Sequence, residues 1–255
     1  MTAVTILGIG AAGTLAYLTD SEQQVNTFTV GDVKTELEEP NWHPENARNM
    51  VPFQVVPKDP QIENTGENPE IVFMKVTVPV RKVTKVEENG TKDPQGQKSQ
   101  EIVYLQKSGT LQGTHENAFN TQTGDNGTWI ELTDKETNTD YATVDATGSG
   151  TRTYVFAYNK RLAKGTKTST LFDQIQLKSV IENEIASGTN CDVLVEAFAI
   201  QADNVMKNGT ALNTSGEISA ADLAYIYDAF VNQSGSNTGR SAAEGEKNLA
   251  GGANN

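Results

Sequence analysis

The chain has 255 residues and a formal net charge of −13, with 36% hydrophobic and 7% aromatic residues. This negative charge argues against nucleic acid and anionic membranes as partners, and it favours solubility first and cation binding second. The single cysteine, Cys191, excludes an intrachain disulfide. Because it lies in an apolar strand pattern, we expect a small buried hydrophobic residue there and not a nucleophile.

Residues 2–18 are uncharged and mostly apolar or small, and the first basic residue is Lys34. This pattern predicts that residues 1–18 are the remnant of a signal peptide, with Thr14 and Ala16 forming a small-x-small cleavage site. A membrane anchor and a core element are the alternatives. The mature protein is then expected to begin between Tyr17 and Asp20.

The first mature strand is predicted over residues 26–37, where Phe28 and Val30 share one face and a bulge follows at Gly31. The polar residues 17–25 before it are expected to form an N-terminal arm. A second, short strand is predicted over residues 51–57.

The stretch 58–80 has two halves. The first is rich in Asp, Asn, Gly and Pro and predicts turns. The second alternates with the period of a half-buried strand, with Met74, Val76, Val78 and Val80 on one face and Lys75, Thr77, Pro79 and Arg81 on the other. Because proline lacks an N–H group, Pro79 predicts a sheet edge or a bulge.

Further strands are predicted over residues 101–106, 129–133 and 152–158, the last with Tyr154, Phe156 and Tyr158 on one face. The charged excursion 82–100 predicts a mobile hairpin tip, and the loop 107–127 is polar. Residues 171–185 predict a strand followed by a short helix. The long apolar run 191–202 predicts a central strand.

The C-terminal part has a different character. Ser219 and Asp222 resemble a capping box, and apolar residues at helical spacing follow: Leu223, Ile226, Tyr227 and Phe230. We therefore expect a jelly-roll-like antiparallel β-sandwich over residues 19–204, a helical segment over 205–232 that ends near Asn232, and a disordered tail over 233–255.

Four segments carry a resemblance to a known family. They are KDPQIENTGENPEIVFMKVTVP at 58–79, GTLAYLTDSEQQVNTFTVGDV at 13–33, YNKRLAKGTKTSTLFD at 158–173 and VEAFAIQADN at 195–204. In this order they resemble the TasA/camelysin family of secreted bacterial proteins, best known as biofilm-matrix fibre subunits. The resemblance implies a jelly-roll-like sandwich with decorating helices and assembly into fibres.

The camelysin branch has been described as metallopeptidases, which raises the question of zinc. A zincin needs His-Glu-x-x-His on a helix, but His115-Glu116 is followed by Asn117, Ala118 and Phe119. The other histidine, His43, is expected to pack beside Trp42. We therefore predict no catalytic, cofactor-binding or metal-binding residues.

A calcium site is the weaker alternative to a solvated turn at residues 134–145. Its oxygen ligands come from alternating side chains, Asp134, Glu136, Asn138 and Asp140, with Asp145 at the twelfth position. However, the glycine that an EF-hand needs at the sixth position is replaced by Thr139.

Three functions remain open. The first is a secreted structural subunit that polymerises with itself, and with other matrix or anchoring proteins, by adding its N-terminal arm as a strand to the sheet of the next copy. The second is a camelysin-like secreted or surface metallopeptidase. The third is a surface module that binds through long loops such as 82–100.

Overall fold

The computed structural model describes residues 33–109, 119–120, 127–132, 142–186, 189 and 191–233. Within these residues the labelled strands pair only antiparallel, and the one α-helix lies near the C-terminal end. The elements are β1 (Thr35–Glu38), β2 (Val55–Pro57), β3 (Gln61–Asn64), β4 (Glu70–Val83), β5 (Lys98–Glu101), β6 (Val103–Gln106), β7 (Trp129–Glu131), β8 (Ala142–Val144), β9 (Gly150–Tyr158), β10 (Gln174–Leu177), β11 (Leu194–Gln201), β12 (Met206–Lys207), β13 (Thr210–Ala211) and α1 (Ala220–Gln233). The predicted all-β sandwich with minor α content is confirmed.

The first layer is a six-stranded sheet in the order β11-β4-β9-β7, in which β5 also pairs with β4 and β8 with β9. The fourteen-residue β4 lies at its centre. The predicted face of β4 is confirmed, since its four apolar members are fully buried: Met74, Val76, Val78 and Val80.

The prediction that Pro79 marks a sheet edge is wrong, because β4 has neighbours on both sides. Pro79 pairs with Thr151 of β9 on one side, and on the other its carbonyl accepts a hydrogen bond from the N–H of Ile102 at 3.1 Å. The N and C=O of one strand residue point the same way. The missing N–H therefore faces Ile102, whose carbonyl accepts instead from the N–H of Lys178 at 2.9 Å.

The second layer contains the sheets β2-β10-β6 and β1-β3. Its inward side chains meet those of the first layer in one core, which includes Val56, Ile62, Leu105 and Ile175 from the second layer and Val72, Met74, Phe156 and Tyr158 from the first. The order of the strands is non-sequential, as in a jelly roll.

Residues 61–64, which the sequence predicts as turn, form strand β3. Ile62 is fully buried and pairs with Leu37 of β1. The true turn is confined to 65–69 and is held by Asn64, whose side chain donates to the carbonyls of Asn68 and Leu162 and accepts from the N–H of Gly66. A turn is therefore present in the predicted stretch, but it is shorter than predicted.

Helix α1 begins as predicted. The Ser219 hydroxyl accepts a hydrogen bond from the N–H of Asp222 at 3.1 Å and donates to its carboxylate at 2.8 Å. The apolar face of α1 packs on the outer face of the first layer, where Tyr227 meets Phe73 and Phe230 meets Phe198. No helix in the described part of the chain is long and apolar enough to cross a membrane.

Three further predictions need correction. The segment 205–232 is not wholly helical, because the hairpin β12–β13 precedes α1. Residues 178–186 contain no helix, and Asn183 has a φ of 68°, which lies outside the right-handed helical region. The excursion 82–100 is shorter than predicted, since β4 continues to Val83, β5 begins at Lys98, and Glu184 binds the N–H and hydroxyl of Thr84 between them.

Candidate functional site

Among the described residues strand β11 lies at the edge of its sheet, which contradicts the prediction of a central strand for residues 191–202. Within the described residues it pairs only with β4, from Leu194 opposite Thr77 to Gln201 opposite Glu70. Its side chains are half-buried or exposed, with none fully buried. The continuous apolar run arises because both faces of β11 are covered, and not because both edges are paired.

The hydrogen-bond pattern fixes which amides of β11 point outward. The N–H of Ala202 donates to the carbonyl of Pro69 at 2.8 Å. The backbone groups of every second residue before Ala202, which are those of Leu194, Glu196, Phe198 and Ile200, therefore also point toward β4. The backbone groups that point outward therefore belong to the residues between them: Val195, Ala197, Ala199 and Gln201. Among the described residues these groups have no strand partner.

The two faces of β11 carry side chains of different size and join different clusters. On the core side, Val195, Ala197 and Ala199 pack half-buried against the large core between the layers. On the helix side, Phe198 and Ile200 pack against the smaller cluster that contains α1.

The edge of the second layer lies beside β11. Strand β1 pairs with β3 on one side and contacts β11 on the other, without forming a ladder with it among the described residues. We call the adjacent edges of β1 and β11 the seam. Leu37 of β1 packs half-buried against the core there.

The residues that precede β1 are anchored at one end of the seam. The N–H of Lys34 donates to the carboxylate of Glu70 at 2.8 Å, and its carbonyl accepts from the N–H of Thr65 at 2.9 Å. Because Glu70 pairs with Gln201, Lys34 lies beside the C-terminal end of β11.

The other end of β1 is held by the Lys58-Asp59 pair. Lys58 Nζ lies 2.6 Å from Glu39 Oε1 and 4.4 Å from the centre of the Trp42 ring. The carboxylate of Asp59 accepts from the backbone and side-chain N–H groups of Asn41 at 2.9 and 2.7 Å. Both members of the pair are buried, so the loop after β1 is fixed against the second layer.

Buried charges form a second polar cluster at the C-terminal end of β4. The carboxylate of Glu101 accepts a hydrogen bond from the Tyr154 hydroxyl and lies 3.7 Å from Arg152 Nη1. Burial, followed by the charge of Glu101, raises the pKa of Tyr154. Nearby, Lys178 Nζ lies 4.2 Å from the centre of the Tyr104 ring, and burial lowers the pKa of Lys178 to about 8.

The histidines and acidic residues considered for metals do not come together in the described part of the chain. His43 is exposed and lies 3.6 Å from Glu45, while His115 and residues 134–140 fall outside the described residues. Asp145 caps its own turn, accepting from the hydroxyl and N–H of Thr147 and the N–H of Ser149, and these bonds lower its pKa. Within the described residues, no group of three or more His, Cys, Asp or Glu side chains could hold a metal ion.

Cys191 matches its expected role in part. It is half-buried against the large core, and burial raises the pKa of its thiol. Sγ donates to the carbonyl of Thr189 at 3.4 Å. A thiol in this setting is less ionised than a free one and is a poor nucleophile.

The seam was not predicted from the sequence, since alternation identifies buried faces but not unpaired edges. Phe28 and Val30, the apolar residues predicted for the arm, lie outside the described residues. Comparison of the chain with protein-family models found no match, and no curated protein matches it.

Proposed function

We propose that this protein is a secreted structural subunit that polymerises into extracellular fibres by strand addition. Residues 17–30 of one copy form the added strand, and the seam of the next copy receives it. The observation that carries this proposal is the outward edge of β11, which has no strand partner among the described residues and lies beside the edge of β1. The resemblance to biofilm-fibre subunits points in the same direction.

Backbone geometry supports strand addition at β11. An edge strand offers a row of N–H and C=O groups that an incoming strand can pair with, while its side chains set the register. Eight residues of β11 span about 27 Å. An arm of fourteen residues reaches up to roughly 45 Å when extended, so it can cover the whole edge.

The anchor at Lys34 gives the assembly a direction. The arm leaves at the Glu70 end of the seam, and the site that receives an arm is the seam itself. Donor and acceptor are therefore different surfaces of one chain, and a contact of this head-to-tail kind propagates into a filament unless the rotation closes a ring. The partner is a second copy of this chain, and the acidic charge disfavours nucleic acid.

Deletion of residues 17–30 tests the donor. Purified secreted protein lacking this segment should fail to form fibres on concentration, as seen by negative-stain microscopy, whereas deletion of residues 234–255 should leave fibre formation intact. Fibres that form as readily without residues 17–30 would remove the arm from the mechanism.

Ala199→Pro tests the acceptor. The N–H of Ala199 points away from β4, so proline removes a group that an added strand needs while the pairing with β4 remains. Ala199→Ser keeps the N–H and is the matched control. We expect a folded, non-assembling Ala199→Pro protein and an assembling Ala199→Ser protein. Normal assembly of the proline variant contradicts the proposal.

A further inference from the structure

We propose that the seam selects the strand it receives by the size of that strand's side chains. The added strand has large side chains on the core side of β11 and small ones on the helix side. The occupant is residues 27–31 of a second copy, with Phe28 and Val30 directed toward Ala197 and Ala199. This inference rests on the proposed function and adds the orientation of the added strand, which determines what sequences the seam accepts.

The core side of β11 has small residues at its outer positions. Ala197 pairs with Met74 and Ala199 with Val72, and both β4 residues are fully buried. The two alanines themselves are only half-buried. Large side chains from a strand placed next to β11 can pack against these alanines, because facing layers fill best when large and small residues alternate.

The helix side is already occupied by aromatic rings. Phe198 pairs directly with Phe73, and these two rings lie 6.0 Å from Phe230 and 5.3 Å from Tyr227, respectively. The helix therefore runs from β4 toward β11, and its C-terminal end lies over the edge strand. A strand added there passes beside Phe230, so its helix-facing side chains must be small.

The sequence of the arm has the complementary pattern. In Thr27-Phe28-Thr29-Val30-Gly31, the large residues Phe28 and Val30 alternate with threonine and glycine. The C-terminal tail, residues 234–255, has one leucine and no aromatic residue. The arm therefore fits a seam that has small side chains on its core side and large ones on its helix side, and the tail does not.

A size exchange in the full chain tests the orientation. Ala197→Leu and Ala199→Leu fill the core side, and each should raise the lowest protein concentration at which fibres form by roughly tenfold or more. Phe28→Ala should also impair assembly. Combining Phe28→Ala with the more damaging leucine substitution should bring the concentration back below that of either single variant. Recovery of assembly also shows that the leucine variant is folded.

The helix side provides the opposite comparison. Thr29→Leu should impair assembly, and Phe230→Ala should restore it, whereas Phe230→Ala should not rescue Ala197→Leu. If Phe230→Ala rescues Ala197→Leu, or if Phe28→Ala rescues neither leucine variant, the orientation is wrong.

These experiments separate a failure of strand addition from a failure of the proposed orientation. If the arm deletion and Ala199→Pro both leave assembly unchanged, the proposed function itself fails. If they abolish assembly but the size exchanges give no rescue, strand addition stands and the orientation proposed here is overturned.

Discussion

The carboxylate of Glu70 accepts a hydrogen bond from the backbone N–H of Lys34 at 2.8 Å. Glu70 is fully buried and begins the central strand β4. The contact holds Lys34 next to the C-terminal end of β11, where Gln201 pairs with Glu70.

We predict that Glu70→Ala lowers the free energy of unfolding by about 2 kcal/mol, because the N–H of Lys34 loses a charged acceptor. Glu70→Gln keeps an oxygen acceptor in place and should cost less. Urea unfolding followed by tryptophan fluorescence measures both. Equal midpoints for the two variants and the unsubstituted protein would mean that this contact does not anchor the chain.

Local alternation predicted the faces of β4 because side-chain orientation in a strand depends only on position along the chain. Met74 and Val76 lie on the predicted face. On the other face, Phe73 is also fully buried because α1 covers it, whereas Lys75 forms an ion pair with Glu196 at 3.1 Å beyond the contacts of α1. The difference in burial between Phe73 and Lys75 depends on a helix that lies about 150 residues later in the chain. Strand periodicity alone could therefore not predict it.

The position of β11 could not be predicted for a related reason. Apolar residues on both faces indicate that both faces are covered, and they do not report how many strands pair at the edges. Phe198 is covered by α1 and Ala197 by the second layer, so an edge strand acquires the composition of a central one. The candidate site thus depends on strand order, which is a property of long-range contacts.

We expect the stability of the protein to rise with pH in the alkaline range because Lys178 is buried. Burial lowers its pKa from 10.5 to about 8 in the folded state, while the charges of Lys85 and Arg152 act in the same direction and Glu101 opposes them. Between about pH 8 and pH 10.5 the unfolded chain holds the proton more tightly, so the contribution of this group to stability rises with pH.

We therefore predict that Lys178→Met raises the free energy of unfolding at pH 7 by about 2–3 kcal/mol, because it removes a buried charge. The same substitution should flatten the rise in stability between pH 8 and pH 10. Lys164→Met, at an exposed site, is the control. Denaturant unfolding across this pH range measures the effect, and an unchanged slope in Lys178→Met would contradict it.

Gly127 lies against the ring of Tyr158. Its φ is +99°, and a Cβ atom there would lie 2.7 Å from a ring carbon of Tyr158. Gly165 also has a positive φ, +70°, but nothing lies within 4 Å of its Cβ position. The two glycines separate backbone strain from steric overlap.

We expect Gly165→Ala to cost about 1 kcal/mol through backbone strain and Gly127→Ala to cost roughly 1–3 kcal/mol more through overlap with the ring. Thermal unfolding of the two variants gives the comparison. If Gly165→Ala proves the more damaging, the close packing of β9 against the start of β7 is not as described.

The most direct test of strand addition is amide hydrogen exchange in β11, measured by NMR after dissolving fibres that exchanged in D₂O. We predict that four outward amides gain protection in fibres relative to soluble protein: Val195, Ala197, Ala199 and Gln201. The amides of Glu196, Phe198 and Ile200, which already pair with β4, should change little. Outward amides that exchange as fast in fibres as in soluble protein would contradict the account.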